Sequence, residues 1–163
     1  MASILALACV LLWSAGTMLS ACPVPQFEIE PNGLVIDEAL VTPPLGLVTA
    51  SRQCAASTVS FDISAAVDDP EGDRVFVFWY VNYDPDLGGI FQGNGDPSVA
   101  FPFDVCLEPA AQTDDTVLIE AVIMDRPPVR LDGPGARQTT EDGNVRILYW
   151  VVEIAEGDAC CGG

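Results

Sequence analysis

The sequence predicts an all-β sandwich, and three observations support this. Short apolar runs with the alternation typical of strands recur along the chain, separated by turns that contain proline or glycine. No run after residue 21 has the spacing of an amphipathic helix. The length of 163 residues, with 50% hydrophobic, suits one domain with a real core and is short for two. We therefore expect about seven strands in two packed layers.

Residues 1–21 have the character of an export signal. They carry no charged side chain and end in small residues directly before Cys22. The last four positions, LSAC at residues 19–22, resemble the lipobox of bacterial lipoproteins. That resemblance implies cleavage before Cys22 and attachment of a diacylglyceryl group to its sulfur. Because two or three acyl chains at about 0.8 kcal/mol per buried CH₂ give a stable anchor, we expect a lipid-anchored protein of the bacterial cell envelope that faces the periplasm or the exterior.

The export signal departs from the usual pattern because it has no Lys or Arg near its start. An upstream start codon is one explanation. A second is that residues 2–21 stay attached as an uncleaved span of about 30 Å, and a third is ordinary secretion without lipid. Each alternative places residues 23–163 outside the cytoplasm.

The charge of the exported part excludes some partners. All 24 acidic and all 6 basic residues lie after Cys22, so the net charge of −18 belongs to this part, and every basic residue is arginine. Nucleic-acid binding needs a clustered positive surface, so we expect no nucleic-acid partner. The same charge keeps the domain away from anionic head groups, and we expect it to serve solubility.

Cysteine usage suits an oxidising compartment. Cys9 leaves with the signal and Cys22 carries the lipid. The domain retains four cysteines: Cys54, Cys106, Cys160 and Cys161. An even number outside the cytoplasm predicts two disulfides. A zinc site is the alternative, but the chain has no histidine and no CxxC pair to supply the usual ligands.

The mature chain begins with a tether and an interrupted strand. Residues 22–32 contain three prolines and little periodicity, which indicates a semi-extended linker that reaches at most ~35 Å. The sandwich domain then occupies residues 33–163. Apolar runs at residues 33–40 and 45–50 predict an edge strand that the intervening prolines interrupt with a bend.

Two alternating runs form the centre of the predicted domain. Residues 58–67 alternate between an apolar and a polar face, which predicts a half-buried strand. Residues 74–83 alternate as well, but both of their faces are apolar, which is typical of a strand buried on two sides. One face of the second run holds Val75, Val77, Trp79 and Val81, and the other holds Phe76, Phe78 and Tyr80.

The remaining elements follow from shorter patterns. Four glycines within residues 87–95 indicate a loop with a short strand around Ile90 and Phe91. Further strands are predicted at residues 98–104, 116–124 and 145–154. Residues 125–143 are polar and rich in turn residues, so they form a long loop, and loops of that length are usually functional or disordered.

The central stretch resembles a known class of module. Residues 65–81, AAVDDPEGDRVFVFWYV, resemble immunoglobulin-like domains of PKD and cadherin-like type, in which a B strand ends in a DxxGD turn and the C strand carries a tryptophan. Here the turn runs from Asp69 to Asp73 and Trp79 follows. Residues 121–125 are similar to the end of the F strand. The resemblance implies an immunoglobulin-like antiparallel sandwich over about residues 57–154, from which the long loop departs.

The implied topology brings the cysteines to one pole. The start of strand B, the end of E and the end of G share that pole, so all four thiols are expected there. Sequence leaves three pairings open. Pairing of Cys54 with Cys106 is favoured because B and E are neighbours, but it would leave Cys160 and Cys161 in a strained vicinal ring. The rival is that each of those two pairs with Cys54 or Cys106.

The acidic turn has two interpretations. In the first, which the resemblance to cadherin-like modules implies, carboxylates bind Ca²⁺; the ligands would be Asp68, Asp69, Glu71 and Asp73. In the second, exposed ion pairs neutralise the turn, and the arginines would come from the long loop: Arg126, Arg130 and Arg137. The absence of a spaced DxDxDG loop favours the second interpretation.

The side-chain inventory argues against an enzyme. The chain lacks histidine and lysine, so it has no imidazole base, no Schiff base and no Ser-His or Cys-His pair. We expect a non-catalytic binding or structural module, an accessory subunit of an envelope complex, with no cofactor. The alternatives are a calcium-binding, adhesion-type surface domain and, least favoured, a glycan hydrolase that uses paired carboxylates.

The second apolar face of residues 74–83 is the candidate partner surface. It consists of Phe76, Phe78 and Tyr80, and it could extend to Leu118, Val122 and Met124. If these side chains are exposed, a protein partner or another copy of the domain would cover them. The alternative is that the glycine-rich segment or the long loop covers them internally, since large exposed apolar patches are rare on monomers.

Overall fold

The described part of the chain forms β-strands in two layers around one core. In the computed structural model the described residues are 33–53, 56–84, 86–92, 96–140 and 143–156. The chain divides into two compact units, Met1–Glu30 and Pro31–Gly163, and every described residue belongs to the second. The predicted signal, the lipidated Cys22 and the tether lie outside the described residues.

The described residues form nine strands and two short helices. They are β1 (Val35–Ile36), a 3₁₀ helix (Glu38–Leu40), β2 (Gly46–Ser51), β3 (Thr58–Phe61), β4 (Val67–Asp68), β5 (Phe76–Asp84), β6 (Gly88–Phe91), β7 (Phe101–Asp104), α1 (Pro109–Thr113), β8 (Thr116–Met124) and β9 (Val145–Ala155). Strand residues dominate, so the predicted all-β class is confirmed.

One large sheet and two small ones form the layers. The large sheet has five strands in the order β2-β9-β8-β5-β6, and the small sheets pair β1 with β4 and β3 with β7. Strand β2 runs parallel to β9 while the other pairs are antiparallel, so the sheet is mixed rather than wholly antiparallel as predicted.

Aromatic side chains fill the space between the layers. Trp79 of β5 and Trp150 of β9 lie with ring centroids 5.8 Å apart. Phe101 stacks on Trp79 at 5.1 Å, and Phe61 meets Trp150 edge-on at 5.0 Å. The indole N–H of Trp150 donates to the carbonyl oxygen of Pro43 at 2.9 Å, which satisfies the one polar group that this ring buries. The inward position predicted for Trp79 is therefore confirmed.

The predicted strand at residues 58–67 is wrong in its second half. Strand β3 ends at Phe61, and β4 begins only at Val67. Between them the carboxylate of Asp62 accepts from the N–H of Ser64 at 2.8 Å, a local bond that favours a turn over a strand. The Ser64 bonds also lower the pKa of Asp62. The alternation consequently changes phase, so that Ala66 is buried where Ala65 was expected.

Helix α1 is a second departure from the sequence prediction, which contained no helix in the domain. Pro109 occupies its first turn, a position where the missing N–H costs nothing. Only Ala111 of this one-turn helix is buried. Such a short helix has too few residues to show a periodic pattern.

Candidate functional site: the outer face of the large sheet

The outward side chains of the large sheet are apolar from one edge toward the other. Strand register places Phe78 of β5 beside Val122 of β8, and Val122 beside Ile147 of β9. A second row runs from Leu118 through Val151 to Leu47 of β2. The face divides into a covered half, on β5 and most of β8, and an open half, on β9, β2 and the start of β8. The open half is defined by Leu47, Leu118, Ile147, Tyr149 and Val151.

The loop of residues 125–143, here called the cover loop, packs on the covered half. Ala136 of the loop is fully buried in a cluster with side chains from β5 and β8: Phe78, Tyr80, Tyr83, Val122 and Met124. The hydroxyl of Tyr80 donates to the carbonyl oxygen of Leu131 at 3.1 Å. At the base of the loop, Asn144 donates to both carboxylate oxygens of Asp125, each at 2.7 Å. These bonds hold the cover loop against the sheet.

The burial of this half corrects one predicted site. Phe78 and Tyr80 are buried and Phe76 is partly buried, so these three side chains do not form an exposed partner surface. The physical reason is that the cover loop supplies the apolar contacts that a partner would have supplied. The alternative in which the long loop covers the face internally is confirmed.

An ion pair fastens the cover loop across this cluster. Arg137 of the loop donates with one guanidinium nitrogen to both carboxylate oxygens of Glu120 in β8. Glu120 is only 5% exposed, and the Arg137 guanidinium also lies 3.9 Å from the centre of the Tyr83 ring. A buried carboxylate without such a partner would be strongly disfavoured. Arg137 therefore binds Glu120, and the prediction that it neutralises the acidic turn is wrong.

Tyr80 lies where the covered half excludes water. Burial of its phenol, followed by the nearby charges of Tyr83 and Asp132, raises the pKa of Tyr80 to about 12. Burial dominates because it penalises the phenolate and leaves the neutral phenol unaffected. The covered half therefore behaves as core.

The open half has no such cover among the described residues. Leu47 is 63% exposed, Tyr149 is 61% exposed and Ile147 is 39% exposed. These three side chains are among the larger apolar groups on the surface, and the strand register places them on one face, where Leu47 lies beside Val151. Contiguous apolar surface of this kind marks interaction sites more often than scattered single residues do.

A recess lies at the edge of the open half. It measures about 350 Å³ and is lined by Glu38, Leu45, Gly46, Ile147, Leu148 and Tyr149. Strand β2 pairs with β9 only from Trp150 onward. Residues 145–149 of β9 thus have no strand partner on that side within the described part of the chain.

The acidic turn is organised by its own backbone and by one arginine. The Asp69 carboxylate accepts from the N–H of Glu71 at 2.9 Å, and Gly72 follows with a φ of 74°. Arg126 donates to Asp73 at 2.6 Å, and this contact raises the pKa of Arg126. The predicted charge balance is confirmed for Arg126. No exposed ion pair involving Arg130 is seen in the described residues.

Calcium binding by Asp68, Asp69, Glu71 and Asp73 stays a prediction. Among the described residues no group of three or more His, Cys, Asp or Glu is placed to hold a metal ion. Asp73 contributes to the Arg126 pair, and one buried carboxylate oxygen of Asp69 has no hydrogen-bond partner. These contacts favour the ion pair of Arg126 with Asp73 over a bound Ca²⁺ ion.

The predicted cysteine pole is only partly within the described residues. Cys106 is disulfide-bonded, while Cys54, Cys160 and Cys161 lie outside those residues, so the pairing stays a prediction. The chain segments next to these cysteines do meet. The N–H of Val105 donates to the carbonyl oxygen of Ser57 at 2.9 Å, and the N–H of Arg52 donates to that of Ala155 at 3.3 Å.

A second recess, of about 360 Å³, lies beside β7. Its walls include Trp79, Phe101 and Leu107, together with the carboxylates of Asp104 and Glu108. The Asp104 carboxylate accepts from the N–H of Cys106 at 2.9 Å.

The open half was missed by the sequence interpretation, although a signal for it exists. Strand β9 alternates with apolar residues on both faces, as β5 does: Leu148, Trp150 and Val152 point inward, while Ile147, Tyr149 and Val151 point outward. That double pattern identifies a strand with two apolar faces. It cannot tell which of two such strands a loop will cover.

Comparison with known proteins found no matching family model, no matching curated protein and no matching solved structure. Within the described residues, no helix is both long enough and apolar enough to cross a membrane.

Proposed function

We propose that this chain is a lipid-anchored, extracytoplasmic module without catalytic activity, which binds a protein of the bacterial cell envelope through the open half. One observation carries the proposal: Leu47, Ile147 and Tyr149 leave an apolar surface uncovered on the same sheet face that the cover loop shields elsewhere. A domain with a net charge of −18 has ample polar surface, so an uncovered apolar area calls for a partner.

The anchor and the location rest on the sequence. The LSAC motif at residues 19–22 supports lipidation of Cys22, and four further cysteines suit an oxidising compartment. Absence of histidine and lysine supports a non-catalytic role. The predicted tether of residues 22–32 would keep an anchored domain of this kind within ~35 Å of the membrane, which suits an accessory subunit of an envelope complex.

Site-specific photo-crosslinking in the native cell tests the binding role. A photoreactive phenylalanine analogue at Tyr149 should give a discrete crosslinked band. The same analogue at Ser60, an exposed position on β3 in the other layer, is the matched control and should give none. Loss of the Tyr149 band in a chain that also carries Ile147→Glu would confirm that the partner binds the apolar face around these two residues. Equal crosslinking at Tyr149 and Ser60 would contradict the proposal.

Metabolic labelling with a palmitate analogue tests the anchor separately. The wild-type chain should incorporate label, and the Cys22→Ser chain should not, because the sulfur that carries the lipid is gone. Unchanged incorporation in Cys22→Ser would overturn the lipoprotein part of the proposal and leave the binding part standing.

A further inference from the structure

We propose that the partner docks as an added β-strand on the open edge of β9, at residues 145–149. This inference rests on the proposed function and specifies it. The partner segment is an extended peptide that alternates apolar residues with Lys or Arg. Strand addition supplies affinity through main-chain hydrogen bonds and specificity through alternate side chains.

The backbone of β9 offers unused hydrogen-bonding groups on this edge. In the β8–β9 ladder, the N–H of Asp125 donates to the Asn144 carbonyl and the N–H of Ile154 donates to the Asp115 carbonyl. Because bonded and non-bonded pairs alternate in an antiparallel ladder, the even-numbered residues of β9 bond to β8. The N–H and C=O groups of the odd-numbered residues therefore point away from β8, toward the opposite edge of β9.

Strand β2 uses those outward groups along the second half of β9, from Trp150 to Ala155. There the carbonyl of Ala155, an odd-numbered residue, accepts from the N–H of Arg52. The pairing of β2 with β9 starts at Trp150. The N–H and C=O groups of Val145 and Ile147 therefore face the open side with no partner among the described residues, and an edge of this kind is a template for an incoming strand.

The side chains around this edge suit an alternating peptide. Ile147 and Tyr149 lie on the outward face, so apolar residues of an added strand would continue that surface. Leu45 and Gly46 form the far wall of the recess in which the strand would lie. An extended segment lying in the recess would therefore contact both β9 and the start of β2.

The charges near the recess determine which residues suit the positions between the apolar residues of the partner peptide. Glu38 lines the recess, and the whole chain carries −18. Arg146 is the exposed cation on this part of β9 and opposes a basic peptide locally. Glu38 lies in the recess itself and can pair with a basic residue of the peptide, and the acidic chain as a whole attracts a basic peptide, so Lys or Arg is favoured at the alternate positions. A second copy would instead bring another −18, which disfavours self-association.

The outer edge of β7 shows what a protected strand looks like. In the β3–β7 pair the N–H of Val105 bonds to Ser57, so the odd-numbered residues of β7 face β3. The outward edge of β7 then begins with Pro102, which has no N–H to offer. Residues 145–149 contain no proline. The edge of β9 at residues 145–149 therefore lacks the protection that Pro102 gives to β7.

Titration of the full-length chain with synthetic peptides tests the inference. The probe is acetyl-KIKVKIK-amide, and the control of equal composition, acetyl-KKKKIVI-amide, lacks the alternation. Two further versions carry N-methyl groups, one on the apolar residues and the other on the lysines. We expect saturable binding of the alternating peptide. One N-methylated version should bind at least about tenfold more weakly and the other nearly normally, because only one edge of an added strand bonds to β9.

Two variants of the chain complete the design. Ile147→Pro removes an outward N–H without removing a bond to β8 and should weaken binding at least about tenfold, whereas Ile147→Ala keeps that N–H and should weaken it less. If Ile147→Pro does not fold, the N-methylated peptides still decide the question. Equal binding of both N-methylated peptides and the parent would overturn strand addition, as would equal binding of the non-alternating control.

The remaining outcomes separate this inference from the proposed function. Sedimentation of the peptide-free chain should show a monomer, and a dimer that Ile147→Pro dissociates would assign the edge to a second copy and overturn the peptide. Failure of the alternating peptide to bind, together with intact crosslinking at Tyr149, would overturn strand addition alone. Loss of the Tyr149 crosslink would overturn the proposed function itself.

Discussion

The covered half and the open half of one sheet face have similar chemistry and opposite exposure. Phe78 and Val122 on the covered half are buried, while Ile147, their neighbour in the same row, is 39% exposed. The difference lies in the cover loop, which brings Ala136 and Arg137 onto one half only. Apolar patterning alone therefore does not identify a binding surface. What distinguishes the two halves is whether the chain itself provides the cover.

The largest expected effect comes from truncating each half in turn. Phe78→Ala should lower the free energy of unfolding by about 3 to 5 kcal/mol, because it opens a cavity under the cover loop. Ile147→Ala, in the same row, should change it by less than about 1 kcal/mol, because its side chain already contacts water. Urea denaturation followed by tryptophan fluorescence measures both. Similar losses in the two variants would mean that the open half is also core.

The ion pairs provide a second, smaller contrast. Arg137→Ala should destabilise the chain by about 2 to 4 kcal/mol, since it leaves the buried Glu120 carboxylate unpaired; some access of Arg137 to water keeps the loss below the full range for buried pairs. Arg126→Ala should cost less than about 1 kcal/mol, because both members of the Arg126–Asp73 pair are substantially exposed.

Chemical denaturation again measures both arginine variants. Adding Glu120→Gln to Arg137→Ala is the internal control and should recover part of the loss, because the uncompensated charge is then gone. If Arg126→Ala lowered the free energy of unfolding as much as Arg137→Ala, the pair of Arg137 with Glu120 would not be what fastens the cover loop.

The pH dependence gives the third and smallest effect. The folded-state pKa of Tyr80 is raised to about 12, above its ordinary value near 10, so the folded chain holds this proton more tightly than the unfolded chain. That contribution is present in full below about pH 10 and is lost as the pH rises through about 12, at most about 2 to 3 kcal/mol. Comparing the unfolding free energy of Tyr80→Phe with the wild type from pH 9 to 12 isolates it. A parallel decline in the two chains would place Tyr80 outside the dry cluster.

Much of the fold was predictable because its signals are local. Alternation identified β5, β8 and β9 close to their observed bounds, and the double apolar pattern of β5 correctly implied burial on both sides. Prolines correctly predicted the interruption between β1 and β2. These are properties of short segments, which a sequence displays directly.

The errors arose where distant residues decide the outcome. The alternation of residues 58–67 continues past Phe61, but Asp62 forms a bridge with Thr42 and turns the chain, and nothing within the run reveals that contact. We predicted the partner surface on side chains that the cover loop buries. The packing of that loop depends on Arg137 reaching Glu120 across the sheet, and the sequence does not display this contact. The open half went unnoticed for the same reason: its exposure follows from where the loop ends, which the sequence does not display.

Hydrogen exchange of the β9 amides, resolved by NMR on the full-length chain without peptide, tests the central claim most directly. The N–H groups of Arg146 and Leu148 bond to β8, so they should exchange slowly. Those of Val145 and Ile147 point to the open edge and should exchange at least about 100-fold faster. Equal protection along residues 145–148 would contradict the account, because it would show that the edge is already covered.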